Sequence, residues 1–432
     1  MRKYNKAALL VAVGKLAAGT VGGYALLVVL TPILTRIYTP ADLGAFSLIA
    51  AAVGVLAPIL GLGYPYGQLS ARTRTGSARF AATALGTAAA FSALLLVAGL
   101  LAAFVASARS AFVWAMLCAL VCSSVAVITS VAVNWAIAQG REARAATATF
   151  VNLGGRAVFQ TGFGVAIGGV KGLILGELCG RLAAWAIAET GMCRVAFRRC
   201  LSKSEVVCRH ARRERYYPTL VTPSMTAENF LVWLPAPIFA FAFGAEVGGL
   251  VALVQRFVSV PLTIANQSIA TLFHREFVGR SEEQTATIRK MLIGMAAVVG
   301  ATSVPLSAVF ERRGSELASV VFGGEQWSGV ATVTAAFVPI CAAQFICLFT
   351  DRILLIIGRN DLKLIFLMFA LLIGGTIVMV SSSLGWTWQT AIWAYAGSQT
   401  FVYLLLFFTV IRASENYSGS GVIKKSDTET MY

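Results

Sequence analysis

The sequence predicts an all-α integral membrane protein, and three observations carry that prediction. Of the 432 residues, 58% are hydrophobic and only 12% are charged, about half the charged fraction of an average soluble domain. The apolar residues form long runs, many of them near the ~20 residues that a helix needs to cross the hydrocarbon core. The alternating pattern of a β-barrel is absent, so we expect helices to be the spanning elements.

About twelve spans follow from this length rule. The first apolar run follows basic residues and has no small-residue cleavage site, so we expect a retained helix and not a signal peptide. The predicted spans are Leu16–Thr35, Leu43–Gly63, Ala82–Ala106, Ala111–Ala138, Thr147–Gly168, Gly172–Met192, Leu220–Gly244, Val247–Leu272, Ile288–Phe310, Val330–Ile357, Leu364–Leu384 and Trp388–Val410.

A basic linker separates two apolar halves of the chain. It carries eight Lys and Arg residues against Glu205 and Glu214, and basic residues in short loops resist translocation. We therefore predict a cytoplasmic linker between two six-helix bundles around a central cavity. The predicted domains are an N-terminal half (1–193), the linker (194–215), a C-terminal half (216–412) and a disordered cytoplasmic tail (413–432).

The distribution of Lys and Arg predicts the orientation. With the N-terminus inside, 27 of the 35 basic residues fall on the cytoplasmic side, 5 fall outside and 3 lie within spans. This asymmetry predicts that both termini are cytoplasmic. The net charge of +16 is then loop charge that faces anionic lipid, and no nucleic-acid partner is expected.

Charged side chains inside the spans are the candidates for function. Each costs about 2.5 to 3.5 kcal/mol at a helix centre on insertion scales, so each is expected to face a cavity or a partner. The candidate site residues are Arg156, Arg181, Arg256, Glu177 and Glu228, with Asn229 beside the last of them.

Two interpretations of these charges stay open. Arg156 and Arg181 lie at similar distances from the turn between their spans, so they are expected at one level on adjacent antiparallel helices. Glu177 lies one helical turn from Arg181, which permits purely structural salt bridges. Alternatively, the three Arg residues line a water-filled cationic cavity, because guanidinium groups suit phosphate and other anionic head groups.

A ladder of glycines crosses the turn between the fifth and sixth spans. Small residues at intervals of four allow two membrane helices to approach closely, so we predict two close-packing faces and not a phosphate-binding loop. The ladder consists of Gly164, Gly168, Gly172, Gly176 and Gly180.

The sequence predicts no catalytic or metal site, because the cysteines near the linker (Cys193, Cys200 and Cys208, with His210) match no CxxC spacing. It has no nucleotide-binding GxxxxGK[ST] loop, and its two His residues have no triad partners. The longest outer loop, 311–329, carries an apolar patch that ends at Trp327 and is expected to lie at the membrane interface. An enzyme is therefore not predicted, and no cofactor is expected.

The first predicted hairpin, Leu30–Leu48, resembles the polysaccharide transporter family. These are the Wzx-type O-antigen and capsule flippases of the multidrug/oligosaccharidyl-lipid/polysaccharide exporter (MOP) superfamily. Weaker matches surround Gln255–Arg256 and Val321–Trp327. The hairpin matches the family pattern at Arg36, Pro40, Asp42, Gly44, Phe46 and Ser47.

The resemblance implies alternating access and transfer of undecaprenyl-diphosphate-linked oligosaccharide from the inner to the outer leaflet of the bacterial inner membrane. It implies a basic lumen, and only Arg256 of the three Arg residues falls inside a matched motif. Glu177 and Glu228 are candidates for coupling to H⁺ or Na⁺. A glycan polymerase and a chain-length regulator are the expected partners.

Two alternatives to the flippase remain. A drug/cation antiporter of the same superfamily requires an acidic lumen, which the net-positive set of charges disfavours. A membrane glycan polymerase or ligase requires a substantial outer loop with Arg or His, and the longest outer loop here is short and has no His.

Overall fold

The computed structural model describes residues 6–71, 73–105, 110–195, 204–257, 282–357 and 360–415. Within these ranges all regular structure is helical. Among the described residues, eight helices are long and apolar enough to cross a membrane, and a pair of helices bent by 48° makes a ninth if it is counted as one span. The predicted all-α class of multi-pass membrane protein is therefore confirmed.

The described residues divide into two compact units. The first unit holds the described residues within 1–256 and 316–329, and the second holds those within 257–315 and 330–432. The first unit contains α1 (Lys6–Ile37), α2 (Pro40–Gly61), α3 (Tyr64–Ser70), α4 (Arg74–Val105), α5 (Ser110–Ala138), α6 (Glu142–Phe150), α7 (Arg156–Ala166), α8 (Gly169–Ala188), α9 (Ser204–Arg213), α10 (Thr222–Trp233) and α11 (Pro235–Phe243). It also contains α12 (245–257) as far as Arg256.

The turn between α1 and α2 follows directly from its sequence. Thr39 accepts a hydrogen bond from the Asp42 amide, and the Asp42 carboxylate accepts one from the Thr39 amide. This reciprocal capping box, with Pro40 in the first turn, defines where α2 begins. The helix ends where Leu62 and Gly63 adopt positive φ, a conformation that Gly tolerates without a steric penalty.

Glycines bring the helices of the first unit into close contact. A Cβ atom on Gly176 would overlap the backbone of Gln160, and one on Gly172 would overlap the Tyr38 hydroxyl and the Phe163 carbonyl. The predicted close packing between the fifth and sixth spans, here α7 and α8, is therefore confirmed. Gly168 has a φ of +72° and forms the turn between them.

Three spans depart from straight, fully apolar helices. A π-helical turn, Val151–Gly155, lies between α6 and α7. Helix α8 is 20 residues long but contains Lys171, Glu177 and Arg181. The predicted span Leu220–Gly244 begins with a second π-helical turn, Tyr217–Val221, and bends by 48° where α11 begins at Pro235. The missing amide of a proline explains such a bend.

The linker helix α9 packs onto the end of the first unit that is predicted to be cytoplasmic. The Tyr64 hydroxyl donates to the Ala211 carbonyl at 3.2 Å, and the Phe80 and His210 rings meet edge to face at 4.6 Å. Burial lowers the pKa of His210, and the nearby Arg79 and Arg213 lower it further, whereas Glu214 opposes them. The docked position thus favours the neutral form of His210.

The second unit has its own apolar core. The second unit contains α13 (Glu282–Phe322) as far as Ser315. It also contains α14 (Val330–Ile357), α15 (Asn360–Ser383) and α16 (Trp388–Glu415). Ser307 donates to the Ala335 carbonyl at 2.7 Å and Gln399 to the Ala370 carbonyl at 2.9 Å. These bonds tie neighbouring helices together, and a buried apolar cluster packs in the same unit. That cluster consists of Leu292, Ile346, Cys347, Leu406, Phe407, Val410 and Ile411.

The predicted outer loop 311–329 is largely helical. Helix α13 continues to Phe322 and is followed by a turn at Gly323 and Gly324. Trp327 is fully buried and donates to the Thr35 carbonyl at 3.0 Å. Leu317, Val320 and Val321 of the same loop are exposed, and the interfacial position of the segment stays a prediction.

The helices α10, α11 and most of α12 group with the preceding helices in the first unit. The predicted domain limits 1–193, 194–215 and 216–412 stay predictions. The second part of the predicted span Val247–Leu272, the linker residues 196–203 and nearly all of the tail 413–432 lie outside the described residues.

Candidate functional site

Two arginines share one carboxylate oxygen between α7 and α8. The Oε1 atom of Glu177 lies 2.6 Å from Arg156 Nη1 and 2.6 Å from Arg181 Nη2, and it accepts a further bond of 2.8 Å from Arg181 Nε. The predicted shared level of Arg156 and Arg181 on adjacent helices is therefore confirmed. We call these three residues the Arg–Glu–Arg cluster.

The Arg–Glu–Arg cluster is largely withdrawn from the surface. The side chains of Arg156, Glu177 and Arg181 are 19%, 7% and 15% exposed. A Cβ atom on Gly180 would lie 2.5 Å from Arg156 Cγ and 2.7 Å from its Cα, so α7 and α8 can approach this closely only because position 180 is Gly. The cluster carries two positive charges against one negative charge.

Arg256 extends this positive region from α12. Its guanidinium lies 6.0 Å from the centre of the Phe46 ring, a distance at which a cation–π attraction operates. Arg256 is also within electrostatic range of Glu177 and Arg156. The three predicted Arg residues and Glu177 thus lie in one region of the first unit.

A cavity of about 330 Å³ adjoins this charged region within the first unit. Its apolar wall comes mainly from α2 and α5. Its polar wall comes from Tyr66, Thr129, Ser130, Asn134, Thr149, Asn152, Arg181 and Asn229. Arg181 therefore belongs both to the Arg–Glu–Arg cluster and to the cavity. Among the described residues, no carboxylate lines this cavity.

Of the two remaining predicted residues, Asn229 lines the cavity and Glu228 does not. The amide nitrogen of Asn229 donates to the Gly54 carbonyl at 2.8 Å. This bond fastens α10 to α2, where a Cβ on Gly54 would overlap the Trp233 ring. Glu228 is within electrostatic range of Tyr66 but is not part of the cavity wall among the described residues.

Most of the polar residues that line the cavity were not predicted from the sequence, and two of them, Asn134 and Asn152, are carboxamides. Asn134 lies in α5, and its amide nitrogen donates to the Pro65 carbonyl at 2.8 Å. Asn152 lies in the π-helical turn Val151–Gly155, and its Oδ1 is buried without a hydrogen-bond partner among the described residues. The signal that could have found them is the same as for the charges, a strongly polar side chain inside an apolar span.

Comparisons with known proteins identify the fold. No protein-family model matches the chain, and no curated protein matches it. Among solved structures, the chain is similar to an inward-facing multidrug resistance MATE family transporter of the MOP superfamily. The TM-score is 0.61 at 14% identity, over 93% of this chain and 96% of that chain.

Two further solved structures have the same fold. One is an outward-facing multidrug resistance MATE family transporter, with a TM-score of 0.55 and 14% identity over 94% of this chain and 96% of the other. The second is a MOP superfamily transporter from Pyrococcus furiosus, with a TM-score of 0.55 and 13% identity over the same shares. Its description states that the reverse polarity of its binding pocket suggests a different function.

These similarities define the class of the protein by its architecture. The chain has the fold of MATE transporters, which have twelve transmembrane helices in two bundles. At 12–15% identity the likeness shows the fold and does not identify a cargo. The resemblance to the Wzx-type flippases stays a prediction from the sequence motifs.

Proposed function

We propose that this chain is an alternating-access transporter of the MOP superfamily whose cargo carries negative charge. The observation that carries the proposal is the Arg–Glu–Arg cluster, in which Arg156 and Arg181 share the carboxylate of Glu177, with Arg256 within electrostatic range. The shared fold of MATE transporters over more than nine-tenths of the chain supports the transport function.

The charge balance favours an anionic cargo on physical grounds. A buried charge is costly unless it is paired, and the Arg–Glu–Arg cluster holds two guanidinium groups against one carboxylate. Arg156 Nε is buried without a hydrogen-bond partner among the described residues, so the cluster retains an unused donor. A diphosphate would supply both the missing charge and the acceptor oxygens, and the planar guanidinium matches that geometry.

The specific cargo that we propose is an undecaprenyl-diphosphate-linked oligosaccharide, moved from the inner to the outer leaflet of the bacterial inner membrane. The sequence resemblance to Wzx-type flippases at Arg36, Pro40, Asp42 and Gly44 supports this choice. Glu177 and Glu228 are the proposed residues for coupling to H⁺ or Na⁺. A glycan polymerase and a chain-length regulator are the proposed partners that act on the cargo after transfer.

A drug/cation antiporter is the second candidate, and the structural comparisons favour it. Several of the similar structures are multidrug transporters by description, and one of them, DinF-BH, was solved in complex with the dye rhodamine 6G and has a TM-score of 0.51 to this chain. Such an exporter would expel cationic amphiphiles. The pocket polarity discriminates the two candidates, because a desolvated cation would meet Arg181 at the cavity described above.

The test uses a strain that lacks this gene but retains the rest of its glycan pathway. Lipid-linked repeat units are extracted and assigned to a leaflet by their accessibility to an impermeant oxidant. The chain is restored as the wild type, as Arg256→Ala, and as the charge-preserving control Arg256→Lys. Membrane levels of each variant are measured in parallel.

Intact single repeats held on the cytoplasmic face, and released by the wild-type gene, are the result that we expect. Arg256→Ala should restore less than about a tenth of the transfer at normal membrane levels, a loss equivalent to about 1.4 kcal/mol or more, and Arg256→Lys should restore a substantial part. Repeats that reach the outer face without the gene would rule out the flippase. Full transfer by Arg256→Ala would remove Arg256 from the proposed site.

A further inference from the structure

The cavity beside the Arg–Glu–Arg cluster combines hydrogen-bond acceptors and donors with almost no charge. The amide nitrogens of Asn134 and Asn229 are occupied by backbone carbonyls, so their Oδ1 atoms remain as acceptors. Thr149 donates to the Ala145 carbonyl and likewise offers its oxygen as an acceptor. Ser130 and Arg181 add donors to the same wall.

Asn152 is the group whose hydrogen bonding is incomplete. Its Oδ1 is buried and has no donor among the described residues. An unsatisfied buried amide oxygen is costly, so a ligand or water must supply a donor. Asn152 lies in a π-helical turn, a feature often found at functional sites. This turn is where α6 and α7 meet beside the cavity.

The chemistry of the wall separates the ligand classes. A cation would find acceptor oxygens but also the guanidinium of Arg181 and, among the described residues, no carboxylate. A small anion would find Arg181 but would face the oxygens of the three Asn side chains. A neutral group rich in hydroxyls matches both, because each hydroxyl can donate to an amide oxygen and accept from Ser130 or Arg181.

The size and position of the cavity narrow the ligand further. Its volume of about 330 Å³ lies at the lower end of the ~300–1,000 Å³ range of small-molecule pockets, which suits one sugar ring and not a whole oligosaccharide. Asn134 lies four residues before the end of α5, and that end is predicted to be cytoplasmic. The cavity is therefore near the leaflet from which the proposed cargo enters.

We propose that this cavity is a binding site for a single neutral sugar ring of the cargo, held by Asn134, Asn152, Asn229 and Ser130, with Arg181 at its charged edge. The proposal rests on the proposed function and extends it. It divides recognition between a hydroxyl-binding cavity and the Arg–Glu–Arg cluster. The cavity binds a sugar of the glycan, and the Arg–Glu–Arg cluster binds the negatively charged group of the cargo.

The test measures sugar binding to the purified full-length protein in nanodiscs by saturation-transfer NMR. The probes are methyl glucoside, methyl galactoside and N-acetylglucosamine, with rhodamine 6G as the cationic comparison. Two cavity variants, Asn152→Leu and the milder Ser130→Ala, remove polar groups from the wall. Gln68→Leu is the matched control, because Gln68 is a fully buried carboxamide with no hydrogen-bond partner among the described residues and lies outside the cavity wall.

At least one sugar should bind to the wild type and to Gln68→Leu, with binding about threefold to tenfold weaker in Asn152→Leu and in Ser130→Ala. Equal sugar binding by both cavity variants and the wild type would overturn the inference, as would the absence of any sugar signal. Rhodamine 6G binding that Asn152→Leu abolishes would also overturn it.

The leaflet assay is repeated on the same variants so that the two proposals fail separately. If Asn152→Leu moves repeat units as well as the wild type and binds sugars equally, only the sugar site is refuted. If the wild-type gene moves no repeat units, the proposed function is refuted.

Discussion

Replacing Glu177 by Gln should expose how strongly the Arg–Glu–Arg cluster depends on one carboxylate. The two contacting nitrogens, Arg156 Nη1 and Arg181 Nη2, each lie 2.6 Å from the same oxygen, so they are at most about 5 Å apart. At an effective dielectric constant of ~20, two unit charges at that distance repel by about 3 kcal/mol. Gln keeps the shape and an acceptor oxygen but removes the charge that offsets this repulsion.

The expected loss of stability is therefore about 3 to 5 kcal/mol, in the range found when one partner of a buried ion pair is removed. The measurement is the free energy of unfolding in mixed micelles titrated with SDS, followed by Trp fluorescence. The control is Glu325→Gln, which alters an exposed carboxylate and should change the free energy by less than about 0.5 kcal/mol.

A double variant checks the cause. Arg156→Met together with Glu177→Gln removes one of the two repelling cations. The double variant should therefore lose less unfolding free energy than the two single variants lose in sum. A loss below about 1 kcal/mol for Glu177→Gln alone would refute the reasoning, since the cluster would then not depend on the carboxylate charge.

Two further predictions concern packing and pH. Gly180→Ala should cost about 1 to 3 kcal/mol of unfolding free energy through overpacking against Arg156, whereas Gly162→Ala, with no atom within 4 Å of the added Cβ, should be neutral or stabilising. The depressed pKa of His210 means that the docked α9 favours the neutral imidazole, so docking is strongest above about pH 6.5 and weakens as pH falls below it. When the pH is lowered from about 7.5 to about 5.5, the rate of amide hydrogen exchange in α9, corrected for its intrinsic pH dependence, should rise in the wild type but not in His210→Phe. Equal protection at both pH values in the wild type would contradict this assignment.

Much of the fold could be predicted because the membrane imposes simple rules on sequence. Span length follows from the thickness of the hydrocarbon core, and the helices α2, α5 and α14 lie close to their predicted ranges. The glycine ladder predicted a close contact that the structure shows at Gly172 and Gly176, because a missing Cβ has a direct steric meaning.

Local departures from regular helices could not be predicted in the same way. The π-helical turn at Val151–Gly155 has no distinctive composition, and the continuation of α13 through Phe322 runs against the charges of Arg312 and Arg313. The burial of Trp327 depends on the Thr35 carbonyl, which is distant in the sequence. In each case tertiary contacts and not the local sequence decide the outcome.

The candidate site was predictable where charge was involved. Arg156, Arg181 and Glu177 stand out in apolar spans, and helical spacing alone placed them at one level. Asn134 and Asn152 were missed because an uncharged polar residue is a weaker signal than an Arg. The cavity that brings them together with Asn229 depends on how several helices and the α2–α3 turn pack, which a single sequence does not specify.

The most direct test of the central claim compares two cargoes in proteoliposomes that contain only the purified protein. One cargo is a fluorescent short-chain polyprenyl-diphosphate sugar, and the other is the cationic dye rhodamine 6G. An anionic cargo site predicts transbilayer movement of the diphosphate lipid, loss of that movement in Arg256→Ala, and no movement of the dye. Transport of rhodamine 6G without movement of the diphosphate lipid would contradict the account and establish the drug/cation antiporter instead.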